Sequence, residues 1–327
     1  MRVLIVKLSS LGDVVHTMPV VHDMRRAHPD ALIDWVVEPG FAPLVRRVAG
    51  VERSIECALR RWRKRWWTSA VRTEWHDFRE AIGGERYDAI IDFQGLTKSA
   101  LVARLARGPR FGLANQTEGA SHEWPARWLV DHPIEVEARI HALDRARVLA
   151  ATALGYVVQG PPVFGLRPHA LHTTERTMVF VHGTSRDDKL WPEAHWIDLG
   201  RRVMAEGWRI ALPHAGAVER ARAERIAAAL APAAEVWPAL SLDALADRMS
   251  ATHGAVGVDS GLSHIAVALD LPHVQIYNFP TSWRTGPLAS HGHAYQVSVE
   301  GTPTPGVDTV WAAWNQVWAQ SREAVRG

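Results

Sequence analysis

Short apolar runs alternate with longer amphipathic stretches along most of this chain. Residues 2–9 (RVLIVKLS) form a β-branched run that ends in a turn, and residues 12–29 carry apolar positions at helical spacing, with Pro19 inside them. The alternation continues with a strand pattern at 31–39, a short helical piece at 40–50 and a third strand pattern at 51–59. After a long basic and aromatic segment, 60–82, come a buried strand at 87–95, a helix at 97–108 and a strand pattern at 109–114. Residues 115–133 have no period, and 141–155 is a helix ended by glycine.

Residues 159–170 (QGPPVFGLRPHA) break the pattern and read as an interdomain linker. The alternation then restarts, with strands at 177–183, 208–214, 233–240, 253–259 and 273–278. Helices are expected at 192–207, 217–230, 241–251, 261–270 and, closing the chain, 309–325. Such βα alternation implies an α/β fold of two Rossmann-like parallel-sheet domains, 1–158 and 159–327, facing a central cleft. Chemistry is then expected on the loops beyond the carboxyl ends of the strands.

A length of 327 residues exceeds one ordinary core, in agreement with two domains. With 47% apolar and 22% charged residues the chain is globular, and its net charge of +2 gives no general argument for nucleic acid. The single cysteine, Cys57, excludes an intrachain disulfide and a thiolate metal cluster. No run approaches the roughly 20 apolar residues of a spanning helix, and the first residues lack a signal-peptide pattern. A cytoplasmic location is expected, free or resting on a membrane without crossing it.

The sequence has no G-x-G, no Walker-type loop, no D-x-D and no H-E-x-x-H. A nucleotide phosphate would then be held by amides, hydroxyls and a lysine, with no metal and no cofactor. Lys7-Leu8-Ser9-Ser10-Leu11-Gly12-Asp13 follows the first strand and opens a helix, with Gly12 permitting a tight turn. Asp13 is either a cap of that helix or a general base, and a capping position favours the ionised form that a base needs.

In the second half, Thr184, Ser185 and Lys189 sit in a strand-to-helix loop suited to a diphosphate. The alternative is a polar surface loop with Lys189 paired to Asp187 or Asp188. Asp259-Ser260-Gly261-Leu262-Ser263-His264 again follows a strand, and its free amides suit an anion; otherwise it is an ordinary cap with a packing histidine. Glu219 is a candidate for ribose hydroxyls or a first-turn helix acid. Arg60, Arg61, Arg63, Lys64 and Arg65 surround three tryptophans. This composition suits an anionic membrane surface or a phosphorylated ligand. The rivals are RNA binding and a solvated helix face with Trp62 or Trp66 in the core.

Taken together, KLSSLGDVVHTMPVV, DWVVEPGF, LRRWRKRWW, YDAIIDFQGLTKSALVARLARG, HGTSRDDKLWP and VDSGLSHIAVALDLP resemble the lipopolysaccharide heptosyltransferases of glycosyltransferase family 9. The S-S-L-G-D opening and the R-R-W-R-K run resemble its type I members. The resemblance implies a GT-B fold, ADP-L-glycero-β-D-manno-heptose as donor and Kdo2-lipid A, on the cytoplasmic face of the inner membrane, as acceptor. It implies inverting transfer without a metal. It makes Asp13 the general base and assigns Thr184, Ser185, Lys189, Glu219, Asp259, Ser260, Gly261, Leu262 and His264 to the donor. Lys7, Ser10, Gly12, Arg60, Arg61, Arg63 and Lys64 fall to the acceptor side. Nucleic acid is not an expected partner. A family 9 enzyme acting on a later core sugar is the nearest alternative, and a non-catalytic nucleotide- or RNA-binding module the more distant one. Tyr277-Asn278-Phe279-Pro280-Thr281-Ser282 stands where the family often has Y-G-P-T-D-P, and the R-E-P element of the acceptor side is not visible.

Overall fold

The computed structural model describes residues 1–169, 171 and 175–324, and it divides into two compact units, Met1–Arg167 and Pro168–Gly327. Ala170 of the expected linker and Val325 of the expected closing helix lie outside the described residues. Each unit contains one six-stranded sheet, parallel throughout.

In the first unit the strands are β1 (Arg2–Val6), β2 (Leu32–Val37), β3 (Val51–Glu56), β4 (Ala89–Asp92), β5 (Arg110–Leu113) and β6 (His132–Ile134), in the order β3-β2-β1-β4-β5-β6. The second unit has β7 (Thr177–Val181), β8 (Arg209–Leu212), β9 (Ala234–Val236), β10 (Gly254–Val258), β11 (His273–Tyr277) and β12 (Gln296–Glu300), in the order β12-β11-β10-β7-β8-β9. Counted from its own first strand, each sheet therefore runs 3-2-1-4-5-6, and the strand order reverses between its first and fourth strands. That switch point, β1 beside β4 and β7 beside β10, opens a crevice at the carboxyl ends of the strands.

The central strands are apolar on both faces because helices cover both, as parallel sheets require. Leu4, Val6, Val36 and Ile90 join Trp62, Phe78 and Ile82 in one core cluster. In the second unit Phe180, Val256 and Ile276 meet Trp191, Trp196 and Trp314. The last helix, Val307–Ala324, lays Val310, Trp314 and Val317 on that second core. Seven of the 15 tryptophans are buried, whereas Trp66, Trp67, Trp124 and Trp128 are well exposed.

Several segments differ from the sequence-based expectation. The basic stretch 60–82 resolves into two helices, Leu59–Arg65 and Ser69–Gly83, the second capped by the Thr68 hydroxyl accepting from the Val71 amide. The region 115–133 holds a 3-10 turn, Trp124–Leu129, and the start of β6. Most of the expected linker packs on the first unit: the Ala49 amide donates to the Gly165 carbonyl, the Arg167 amide to that of Arg47, and Arg26 to the Gln159 side chain. The chain accordingly divides after Arg167 rather than after residue 158.

Candidate active site

At the switch point of the first unit, β1 ends in Lys7–Ser10 and the helix Leu11–Ala27 begins. Gly12 lies in the first turn of that helix rather than in a tight turn of its own. Asp13 is its third residue, and its Oδ2 accepts from the Ser10 amide (3.1 Å) and the Ser10 hydroxyl (2.9 Å). Its Oδ1 lies 3.6 Å from Lys7 Nζ. The capping role is therefore real, and it leaves the carboxylate side chain 38% exposed while Lys7 is 5% exposed. Burial pushes the Asp13 carboxyl up, but Lys7, the two Ser10 donors and Arg145 outweigh it and hold the group below the ordinary carboxylate range. Burial in turn pulls the Lys7 ammonium down, against the attraction of Asp13.

This loop is clamped from the neighbouring strand. Lys7 Nζ donates to the Phe93 carbonyl (3.2 Å), and Gln94 Oε1 accepts from the Leu8 and Ser9 amides (2.9 and 3.3 Å). Buried Asp92, at the end of β4, fixes Gln94 in turn by accepting from its amide (2.8 Å) and from the Ser99 hydroxyl (2.8 Å). Burial raises the Asp92 carboxyl to about 6. A buried bidentate pair, Arg147 with Asp23 (2.6 and 3.0 Å), ties the helix Ala142–Leu154 to the helix Leu11–Ala27, and the former helix also carries Arg145, which donates to the Thr117 hydroxyl (2.8 Å). The sequence reading missed Asp92, Gln94 and Arg145. The first two stand where strand-end chemistry is expected, but Arg145 carries no local signal.

The helix Leu59–Arg65 displays Arg60, Arg61, Arg63 and Lys64 on its exposed side. Trp62 is buried and donates through Nε1 to Glu74 (2.8 Å), which also accepts from Arg61 (2.6 Å); Trp66 points outward. Arg60, Trp62, Arg63, Lys64, Trp75 and Lys98 are among the residues lining a groove of about 880 Å³.

At the switch point of the second unit the two expected donor loops are joined. Lys189 Nζ donates to Asp259 Oδ2 (2.6 Å), not to Asp187 or Asp188; Arg186 takes Asp188 instead. Thr184 Oγ1 donates to the Asp259 carbonyl (3.2 Å), and His264 Nε2 lies 3.5 Å from Asp259 Oδ1. Burial works against the Asp259 charge, but His264 and Lys189 hold it far below the usual carboxylate range. Ser260 precedes the helix Gly261–Ala268, whose first amides, including Gly261 and Leu262, have no partner within the helix. Ser185, next to Thr184 on the loop after β7, is exposed.

Glu219 accepts from the Ala215 amide (2.7 Å), the first-turn role expected of a helix acid. Its carboxyl group also lies against Gly183, where an added Cβ would stand 2.6 Å from the Glu219 carboxyl carbon. The absence of a side chain at Gly183 thus lets Glu219 reach the loop that carries Thr184 and Lys189.

Comparison with known proteins decides the family. The model of glycosyltransferase family 9 (heptosyltransferase) matches residues 75–308. The chain belongs to glycosyltransferase family 9. It is 43% identical, over 285 residues, to lipopolysaccharide heptosyltransferase 1 of Escherichia coli K12, covering 85% of this chain and 88% of that protein. The solved structure of E. coli heptosyltransferase WaaC with ADP superposes with a TM-score of 0.84 at 36% identity, covering 99% of both chains. The same enzyme with ADP-2-deoxy-2-fluoro heptose gives a TM-score of 0.79 at 37% identity, over 99% of this chain and 100% of that one. This family 9 chain is thus a glycosyltransferase with the GT-B fold of two Rossmann-like units, as the resemblance implies.

Proposed function

We propose that this family 9 enzyme transfers L-glycero-D-manno-heptose from ADP-heptose to Kdo of Kdo2-lipid A in lipopolysaccharide core synthesis, with inversion and without a metal. The observation that carries the reading is Asp13: a half-exposed carboxylate at a helix start, kept ionised by buried Lys7 and by Ser10. It stands in a chain 43% identical to an E. coli lipopolysaccharide heptosyltransferase 1. The donor assignment is supported by the E. coli relative, whose structures contain ADP and a fluorinated ADP-heptose.

In this mechanism Asp13 takes the proton of the Kdo hydroxyl as its oxygen bonds to the anomeric carbon of heptose. The bond from that carbon to the diphosphate breaks, and ADP leaves with the electron pair. Lys189 and the amides at the start of the helix Gly261–Ala268 receive the developing charge. Thr184 and Ser185 add hydroxyl donors, and Asp259 with His264 holds Lys189 in place. Metal independence rests on the missing D-x-D and on this cationic and amide set. Glu219 meets the ribose. On the acceptor side Lys7, Ser10 and Gly12 line the approach to Asp13. Arg60, Arg61, Arg63 and Lys64 meet the Kdo carboxylates and lipid A phosphates.

Among the described residues no helix is long and apolar enough to cross a membrane. The reading is of peripheral contact with the cytoplasmic face of the inner membrane. It is supported by the basic helix Leu59–Arg65, by Trp66 and Trp67 exposed after it, and by the exposed pair Trp124 and Trp128 with ring centroids 4.0 Å apart.

Incubation of the protein with ADP-heptose and Kdo2-lipid A tests the reading. Mass spectrometry is expected to find one added heptose, NMR the inverted anomer, and EDTA no loss of rate. Transfer only to an already heptosylated core would assign the enzyme to a later step instead.

A further inference from the structure

The segment where this chain departs from its family, Tyr277 to Ser282, contains an asparagine with an unusual set of partners. Asn278 follows β11 and is buried. Its Nδ2 donates to two carbonyls, those of Asp188 (2.9 Å) and Leu190 (3.0 Å). These are the carbonyls of the two residues that flank Lys189. Its Oδ1 accepts from the Thr304 hydroxyl (2.8 Å), which fixes which way the amide faces. Both donor hydrogens and the acceptor are therefore used. A buried amide with all of these bonds made is oriented strongly, because each alternative rotamer leaves buried polar groups unpaired.

We infer that Asn278 is a positioning residue for donor binding: it pins the backbone on both sides of Lys189 and so holds the ammonium where the diphosphate of the donor docks. The inference rests on the assignment of Lys189 to that diphosphate. The loop has one further anchor on the same side: Trp191, fully buried, donates through Nε1 to the Pro305 carbonyl (2.9 Å), one residue from Thr304. Between these anchors the remaining freedom of Lys189 is in its side chain, which Asp259 orients at 2.6 Å. A charged hydrogen bond to phosphate depends steeply on distance and angle, so holding the backbone in advance of binding lowers the ordering cost paid on association.

The test is calorimetric titration of the full-length enzyme with ADP, using Lys189→Ala, Asn278→Ala, Thr304→Val and the double variant Lys189→Ala/Asn278→Ala. Lys189→Ala is expected to weaken ADP about thirtyfold and Asn278→Ala about tenfold. Thr304→Val, which leaves Asn278 in place without its orienting hydroxyl, is expected to weaken it about threefold. The double variant is expected to match Lys189→Ala alone, since Asn278 acts through that side chain. Steady-state kinetics should show the Asn278→Ala loss in KM for the donor, with kcat for the same transfer much less changed.

Unchanged ADP affinity in Lys189→Ala would remove the assignment of Lys189 itself. A loss in Lys189→Ala with none in Asn278→Ala and Thr304→Val would overturn the inference alone. Full additivity in the double variant would also overturn it, because Asn278 would then act elsewhere. If Asn278→Ala does not fold, Thr304→Val decides.

Discussion

The two units use one sheet topology and one loop position, yet their ion pairs are mirror images. After β1 the cation is the hidden partner: Lys7 is 5% exposed, and Asp13 is 38% exposed. After β7 the loop contributes an available cation: Lys189 is 21% exposed, and its partner Asp259 is 8% exposed. A buried partner cannot move toward a ligand, so it sets the charge state of the group in front of it. One unit thus presents an ionised carboxylate, suited to taking a proton, and the other presents an ammonium, suited to a diphosphate. The difference separates the two proposed roles more sharply than either loop does by itself, because the fold around them is the same.

The largest effect on binding is expected from the second pair. Lys189→Ala should raise the Kd for ADP about thirtyfold, measured by calorimetry, whereas removal of any single exposed cation of the helix Leu59–Arg65, such as Arg63, should leave it unchanged. Next comes the buried member of the first pair. Lys7→Met removes the chief charge that holds Asp13 ionised, and burial then pushes the carboxyl up. The acid limb of the kcat/KM profile should move to higher pH, and an unmoved limb would show that Lys7 does not govern Asp13.

The units should also differ in acid stability. Burial, aided by Arg222, lowers His182 in the second unit to about 4, and burial likewise lowers His273 to about 4, from an ordinary 6.5. The folded unit then binds fewer protons than the unfolded chain between those values, so stability from these groups is present above pH 6.5 and is lost as pH falls toward 4. Asp92 in the first unit works in the opposite sense: raised to about 6, it favours the folded state in acid and loses that contribution as pH rises from 3.8 through 6. Hydrogen exchange at pH 7 and pH 5 should show protection falling first around β7 and β11, and less so in His273→Gln. The smallest effect is expected at the surface. Trp66→Ser with Trp67→Ser should weaken sedimentation with phosphatidylglycerol vesicles severalfold without altering ADP affinity.

The alternation of apolar runs and amphipathic helices was enough to read both sheets from sequence, because central parallel strands are buried on both faces and stand out. Of the four edge strands, β3 and β9 were legible and β6 and β12 were not. β6 has three residues, of which His132 and Pro133 are exposed, and β12 lies in a stretch rich in histidine, glycine and proline. The Lys7–Asp13 and Thr184–Lys189 loops were legible because each directly follows a strand. Their partners were not: Gln94 reaches Leu8 across 86 residues, Lys189 reaches Asp259 across 70, and Asn278 reaches Asp188 across 90. Such bonds follow from strand order, which no local pattern encodes. The basic run was legible as charge, but only the fold separates buried Trp62 from exposed Trp66.

The cap and base roles of Asp13 are separable in one measurement, the single-turnover transfer rate of Asp13→Asn. Asparagine keeps an oxygen to accept from the Ser10 amide but cannot take a proton. The account predicts a rate lower by about a thousandfold with unchanged ADP affinity and an unchanged melting temperature. A variant that transfers heptose at close to the wild-type rate would contradict it and leave Asp13 as a helix cap alone.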